Sequence, residues 1–242
     1  MTAHHPTAPK ATESFRSRRD SGAVGARGSL NLYPDTDVVD FVLHHFAEVR
    51  DRADVQILEL GFGGGENVWF LAREGFAAAG VEVSEAAVAA AQDRLRGEGL
   101  QADLRHGDYQ RLPWADGCFD AVIDPGALAH NRRADLAGGL DEVRRVLKPG
   151  GYLRSVVYGA AHPARLCGKP LGDGSFHAFA EGCFADGDLA FFATAADLDE
   201  LYGSRFALEV RDLELVEDQR QKTANYRTAL WHLTGRKACD LS

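Results

Sequence analysis

The stretch Val55-Gln56-Ile57-Leu58-Glu59-Leu60-Gly61-Phe62-Gly63-Gly64-Gly65-Glu66 decides how the rest of the chain is read. An apolar, β-rich run ends in a glycine-rich turn, and a helical pattern over Glu66–Glu74 begins at once. In a doubly wound sheet such a turn lies at the carboxyl end of a parallel strand, where ligands collect. Glycine there permits positive φ and close approach of backbone to ligand. The loop is not a dinucleotide fingerprint, because the third glycine slot holds Glu66, a poor neighbour for pyrophosphate. No Gly-Lys-Ser/Thr follows, which also excludes the nucleotide P-loop.

Outward from this loop the chain alternates strand and helix patterns. Upstream, Tyr33-Pro34-Asp35-Thr36 supplies a turn and a cap for a helix carrying Val38, Val39, Val42, Leu43 and Phe46. Strands are predicted at Val55–Leu60, Ala77–Val83, Ala102–His106, Phe119–Asp124 and Tyr152–Tyr158, with helices at Glu66–Glu74, Glu85–Arg96 and Arg132–Leu147. This order predicts an α/β fold: a doubly wound, Rossmann-like, mostly parallel sheet with helices on both faces. Ala195–Tyr202 reads as a helix, and Leu208–Leu215 with Tyr226–Arg236 as an antiparallel closing pair. Residues 1–29 mix Pro, Ala, Ser, Gly and Arg without apolar periodicity and read as a flexible arm ahead of one domain over 30–242. Within that domain residues 159–194, rich in Gly, Pro and aromatics, are expected to form a substrate-covering insertion.

Composition narrows the function classes. The 242 residues carry 27 Lys+Arg against 36 Asp+Glu, a net charge of −9, with 45% hydrophobic residues. The acidic balance argues against a nucleic-acid partner, whose binding rests on Lys and Arg neutralising phosphates. The Arg16/Arg18/Arg19 cluster reads as solvated terminus. There is no apolar run long enough to span a membrane and no secretory h-region, so a cytoplasmic location is expected. The four cysteines, Cys118, Cys167, Cys183 and Cys239, form no C-x-x-C pair. Cys167, His177 and Cys183 match no zinc spacing, so no metal is expected.

The pattern Glu-x-Gly-x-Gly-x-Gly over Glu59, Gly61, Gly63 and Gly65 resembles motif I of the class I S-adenosylmethionine-dependent methyltransferases. Val143-Arg144-Arg145-Val146-Leu147-Lys148-Pro149-Gly150-Gly151 resembles that family's helix-to-fifth-strand junction, and Leu112–Val122 its connection into the fourth strand. Together the resemblance spans roughly residues 35–160 and is strongest to the small-molecule branch that includes ubiquinone/menaquinone-biosynthesis enzymes. It implies S-adenosylmethionine as cofactor and S-adenosylhomocysteine as product. Cofactor contacts are then expected from Glu59, Gly61, Phe62, Gly63 and Gly65 in the loop, and from Glu82 and Val83 after the second strand, with Glu82 on the ribose hydroxyls. Asp108 is expected on the adenine amino group with Tyr109 flanking the ring, and Asp124 at the end of the fourth strand is expected against cofactor or a substrate amine.

Transfer of methyl from a sulfonium is an in-line displacement, so alignment in a water-poor pocket carries much of the catalysis. A histidine near neutral pKa suits deprotonation of the acceptor. His130, following the fourth strand, and His177, between Phe176 and Phe179 in the cover, are the candidates for catalysis and substrate contact, with Tyr33 a further substrate contact. Asp124-Pro125-Gly126-Ala127 lacks the second proline and aromatic of base-modifying DNA methyltransferases. The expected activity is methylation of an O or N atom of a small molecule in bacterial specialised metabolism, by a monomer or homodimer. The alternatives are a cofactor-binding relative with non-methylation chemistry, or a non-catalytic cofactor-binding partner subunit.

Overall fold

The structure, a computed structural model, describes residues 33–180, 184, 189–218 and 226–239. The arm over residues 1–29 and Cys183 lie outside the described residues. A helix α1 (Thr36–Phe46) precedes β1 (Gln56–Leu60), α2 (Glu66–Arg73), β2 (Ala77–Glu82), α3 (Glu85–Gly97), β3 (Asp103–His106), β4 (Phe119–Asp124), α4 (Arg133–Val146) and β5 (Leu147–Gly159). Strands β3-β2-β1-β4-β5 pair in that order, all parallel. The long strands β9 (Ala207–Asp218) and β10 (Tyr226–Arg236) pair antiparallel with each other, and β10 adds antiparallel to β5. The expected mostly parallel sheet with an antiparallel closing strand is therefore what the chain forms.

Two apolar layers cover the sheet. On one face Leu58, Leu60, Val122, Leu153 and Val157 meet Leu136, Leu140 and Val143 of α4 together with Leu201 and Tyr202. On the other, Ile57, Ala121 and Ile123 meet Val38, Phe41, Val42 and Phe46 of α1 and Leu71 of α2. Each large apolar side chain removed from water in these layers contributes about 1.5–3 kcal/mol before entropy is charged against it. The inward face of α1 differs by one position from the predicted one: Phe41 is buried and Leu43 is exposed. Hydrophobic residues run almost continuously there, and only the packing partner decides which stripe turns inward.

The region expected to be an irregular cover contains three short strands, β6 (Lys169–Pro170), β7 (Ser175–His177) and β8 (Ala190–Ala193). They form an antiparallel set whose β8 runs parallel to the end of β5 through Tyr158↔Phe192 and Gly159↔Ala193. The Phe191 N–H also donates to the Ala129 carbonyl at 2.8 Å, which ties β8 to the loop after β4. Strands of two to four residues leave almost no periodicity in a sequence. They exist here because β5 runs on far enough to offer an edge. The predicted helix Ala195–Tyr202 forms as α5 (Ala195–Leu198), started by a Thr194/Asp197 capping box, and then widens into a π turn over Asp199–Gly203.

Candidate functional site

The glycine loop holds its shape through left-handed backbone at Gly61 (φ 64°), Gly63 (φ 51°) and Gly65 (φ 79°). Side chains are excluded at two of these positions by contact as well as by φ: a Cβ at Gly61 would lie 2.7 Å from the Ala127 Cβ, and one at Gly65 2.7 Å from the Ala91 Cβ. The loop after β4 thus rests on the glycine loop, and α3 packs against the start of α2. Phe62 is in the loop by its backbone only. Its ring is buried with Val68, Val88 and Ala91.

Glu82 and Glu59 flank the loop, both 2% exposed. Glu82 Oε2 accepts from the Gly63 N–H at 3.0 Å and Oε1 from the Ser84 N–H at 3.0 Å. The same carboxylate thus ties the glycine loop to the start of α3. Val83 is half-buried and its carbonyl contacts His106 Nε2 at 3.0 Å. Glu59 Oε1 accepts from Asn67 Nδ2 at 2.8 Å, while Oε2 has no hydrogen bond among the described residues. Burial pushes the Glu59 carboxyl up to about 8; the Asn67 amide and, less, the Val68 backbone N–H pull it down, and Glu66 and Asp35 add like charge. A buried carboxyl with an unused oxygen, set in an acidic neighbourhood, fits a cationic group and not a phosphate.

The remaining predicted residues fall into two groups. Asp108 is half-buried after β3 and caps the next turn by accepting from the Gln110 N–H at 2.9 Å. Tyr109 turns away from it: the ring is buried in the α4 layer, and its hydroxyl meets Asn131 Nδ2 and the Ala127 carbonyl. Asp124 is 1% exposed and already engaged, Oδ1 accepting from the Gly126 and Leu128 N–H groups and Oδ2 from Ser155 Oγ at 2.7 Å. Ser155 in turn lies 3.1 Å from the Tyr202 hydroxyl. Burial pushes Asp124 up to about 6 against these hydrogen bonds. They show it supporting the loop after β4.

His130 closes that loop, with Nε2 3.0 Å from the Tyr158 hydroxyl at the end of β5 and its ring against Tyr158 and Phe184. His162 joins the same aromatic group, 5.5 Å from Tyr158 and 5.5 Å from Phe192 between ring centroids, and burial lowers its pKa. His177 is elsewhere. It follows Phe176 in β7, so alternation turns it from the face that packs Phe176 on Phe192, and its side chain makes no hydrogen bond or ring contact among the described residues. Tyr33 is exposed at the start of the described chain. No group of three or more His, Cys, Asp or Glu suited to a metal occurs among the described residues.

Sequence reasoning missed Asn67, Ser155, Tyr158, His162 and Tyr202. Only Asn67 carries a local signal, an asparagine in the first turn of a helix, where its side chain ordinarily competes with backbone hydrogen bonding.

Residues 57–151 match the methyltransferase domain family. The phthiotriol/phenolphthiotriol dimycocerosates methyltransferase of Mycobacterium tuberculosis is 34% identical over 155 residues, covering 60% of this chain and 51% of the relative. The chain thus spans about half the length of that curated relative. Among solved structures, an S-adenosylmethionine-dependent methyltransferase from Methanosarcina mazei superposes with a TM-score of 0.68 at 22% identity, covering 82% of this chain and 98% of the other. The 1,6-didemethyltoxoflavin N1-methyltransferase of Burkholderia thailandensis, solved with its substrate and S-adenosylhomocysteine, gives 0.65 at 16% identity, covering 98% and 93%.

Proposed function

We propose that this chain, built on a class I S-adenosylmethionine-dependent methyltransferase domain, methylates an O or N atom of a small molecule with S-adenosylmethionine as donor. The observation that carries the reading is the pair of buried carboxylates, Glu59 and Glu82, on either side of a left-handed glycine loop. Bound there, the cofactor would supply an electrophilic methyl group on a sulfonium.

In this reading Glu82 accepts from the ribose hydroxyls while it keeps the Gly63 backbone in place. Glu59 faces the ammonium of the methionyl end, and the backbone of Gly61, Gly63 and Gly65 leaves room for the chain between the two. Asp108 lies at the adenine end beyond β3. The loop after β4, held on the glycine loop by Ala127 and fixed from below by Asp124, carries His130 toward the reacting end. Nε2 of His130 takes the acceptor's proton directly or through the Tyr158 hydroxyl beside it. The rings of Tyr158, Phe184 and Phe192 exclude water at that end, which strengthens every polar contact made there.

A small-molecule acceptor, a cytoplasmic setting, action as a monomer or homodimer and a role in bacterial specialised metabolism belong to the same proposal. Supporting it, the Burkholderia structure of similar fold holds 1,6-didemethyltoxoflavin together with S-adenosylhomocysteine. Calorimetric titration with S-adenosylmethionine and S-adenosylhomocysteine tests the cofactor reading, followed by a screen of phenols and amines scored by S-adenosylhomocysteine release. Micromolar binding and acceptor-dependent release are expected. A folded sample that binds neither nucleoside overturns the proposal.

A further inference from the structure

Asn67, 2% exposed in the first turn of α2, stands between two acidic residues that neither the glycine pattern nor the sheet brings together. Its Nδ2 donates to Glu59 Oε1 at 2.8 Å and to Asp35 Oδ2 at 3.2 Å, and its Oδ1 accepts the Asp35 backbone N–H at 2.9 Å. The chemistry of the partners fixes the amide's orientation. The Asp35 backbone N–H requires an acceptor and the Asp35 carboxylate a donor, so the side chain cannot be turned over without losing both of these contacts. Glu59 is held by one oxygen, and its other oxygen, buried and without a hydrogen bond among the described residues, is the atom left over.

We propose that Asn67 is a positioning residue for the methionyl end of the cofactor, holding Glu59 by Oε1 so that Oε2 is presented to the ammonium, and linking that presentation to the docking of α1 through Asp35. The proposal rests on the cofactor reading above. It adds a residue outside the glycine pattern, and it makes the capping residue of α1 part of the binding apparatus. Without the Asn67 amide the Glu59 carboxyl loses the side-chain donor that fixes Oε1, and its charged form keeps only the weaker help of the Val68 backbone N–H.

The test compares two nucleosides on the intact chain. S-adenosylhomocysteine carries the amino-acid tail, and 5′-methylthioadenosine has the same adenosine and sulfur without it. Asn67→Ala is expected to weaken S-adenosylhomocysteine about 10- to 100-fold, the range of losing one hydrogen bond to a charged group, and to leave methylthioadenosine affinity unchanged within about twofold. The pH at which S-adenosylhomocysteine affinity levels off should also rise by about one unit, because ionised Glu59 has lost its donor. Asn67→Gln, which keeps the amide but displaces it by a methylene, should show the same selective loss and decides the matter if the alanine variant does not fold. Equal loss for both nucleosides, or no loss for either, overturns the positioning role while the cofactor reading stands. A wild-type chain that binds neither nucleoside overturns both.

Discussion

The Gly63 backbone N–H donates to Glu82 Oε2 at 3.0 Å, so the residue at the end of β2 that we propose for the ribose hydroxyls also fixes the loop at the end of β1. Substitution at Glu82 therefore acts twice. Glu82→Ala removes the acceptor for Gly63 and for Ser84 as well as the expected ribose contact. Leaving two buried N–H groups unsatisfied costs about 1–3 kcal/mol each. We expect a fall in melting temperature together with a loss of S-adenosylhomocysteine affinity of at least about 100-fold, the range for hydrogen bonds to a charged group. Calorimetry beside a thermal melt reads both, and retention of wild-type affinity would remove the ribose assignment.

Two glycines separate backbone strain from crowding. A Cβ added at Gly99, φ 69°, would have nothing within 4 Å, whereas at Gly61, φ 64°, the added atom would meet Ala127 at 2.7 Å. Gly99→Ala should cost about 1–2 kcal/mol, the penalty of left-handed backbone alone. Gly61→Ala should exceed it by about 1–3 kcal/mol for overpacking and should also impair cofactor binding. Urea unfolding of both variants checks the difference. Equal costs would mean that the loop after β4 yields freely.

Cofactor affinity should depend on pH through Glu59. Its carboxyl, raised to about 8 mainly by burial, is mostly protonated at neutral pH in the free protein. Binding a cation favours the ionised form, so affinity should increase by up to about tenfold per pH unit between pH 6 and 8 and then level off, with about one proton released. Titration in buffers of differing ionisation enthalpy measures that proton. The slope should disappear in Glu59→Gln.

A second pH effect arises far from the loop, where α1 is pinned to β5 and β10. Arg154 donates through Nε to Asp37 Oδ2 at 2.8 Å, and His232 lies 3.4 Å from Asp37 and 3.0 Å from Glu214. Burial pushes Asp37 up, but hydrogen bonds from His232 and Arg154 outweigh it and hold the carboxyl at about 2. Interaction with Asp37, opposed by burial and aided by Glu214, raises His232. A raised histidine stabilises fully below its unfolded value near 6.5, and that contribution is lost as pH rises through the folded pKa. The lowered Asp37 stabilises above about 4 and is lost as pH falls toward 2. Buried Glu59 also costs stability as pH rises between about 4.5 and 8, so the difference between wild type and His232→Gln isolates the histidine. That difference should shrink from pH 6 to pH 8.5 in denaturant midpoints; a constant difference would exclude the linkage.

At the reacting end, His130→Ala should lower turnover by about 10²–10⁴ if His130 takes the acceptor's proton, while S-adenosylhomocysteine affinity stays near wild type. Tyr158→Phe should lower it less, because the imidazole remains. Steady-state kinetics on any acceptor found in the screen distinguishes these outcomes from a binding defect.

The strand–glycine–helix unit at 55–74 was legible in the sequence because it is local: an apolar run, residues tolerant of positive φ and an immediate helix are contiguous in the chain. Glu82 and Asp108 were legible for a related reason, since strand ends in a parallel sheet arrive at one edge at regular intervals. Tyr109 shows where that reasoning stops. Its place after β3 follows from the chain, but the direction of its ring was set by Asn131 and the α4 layer. His130 and His177 were both candidates in the sequence, and only the tertiary structure shows the loop after β4 bringing His130 into the aromatic group while β7, paired with β8, holds His177 apart from it.

What the sequence by itself determined is the order of strands and helices, the glycine loop and the residues at strand ends, because these depend on periodicity and on backbone freedom residue by residue. What only the tertiary structure decided is which side chains are partners. Asp37 with Arg154, Asp124 with Ser155 and Tyr202, His130 with Tyr158, and Asn67 with Asp35 and Glu59 each join residues from different elements. The physical reason is that the energy of a buried polar contact exists only once burial has removed water and packing has set the distance, and neither is encoded at any single position.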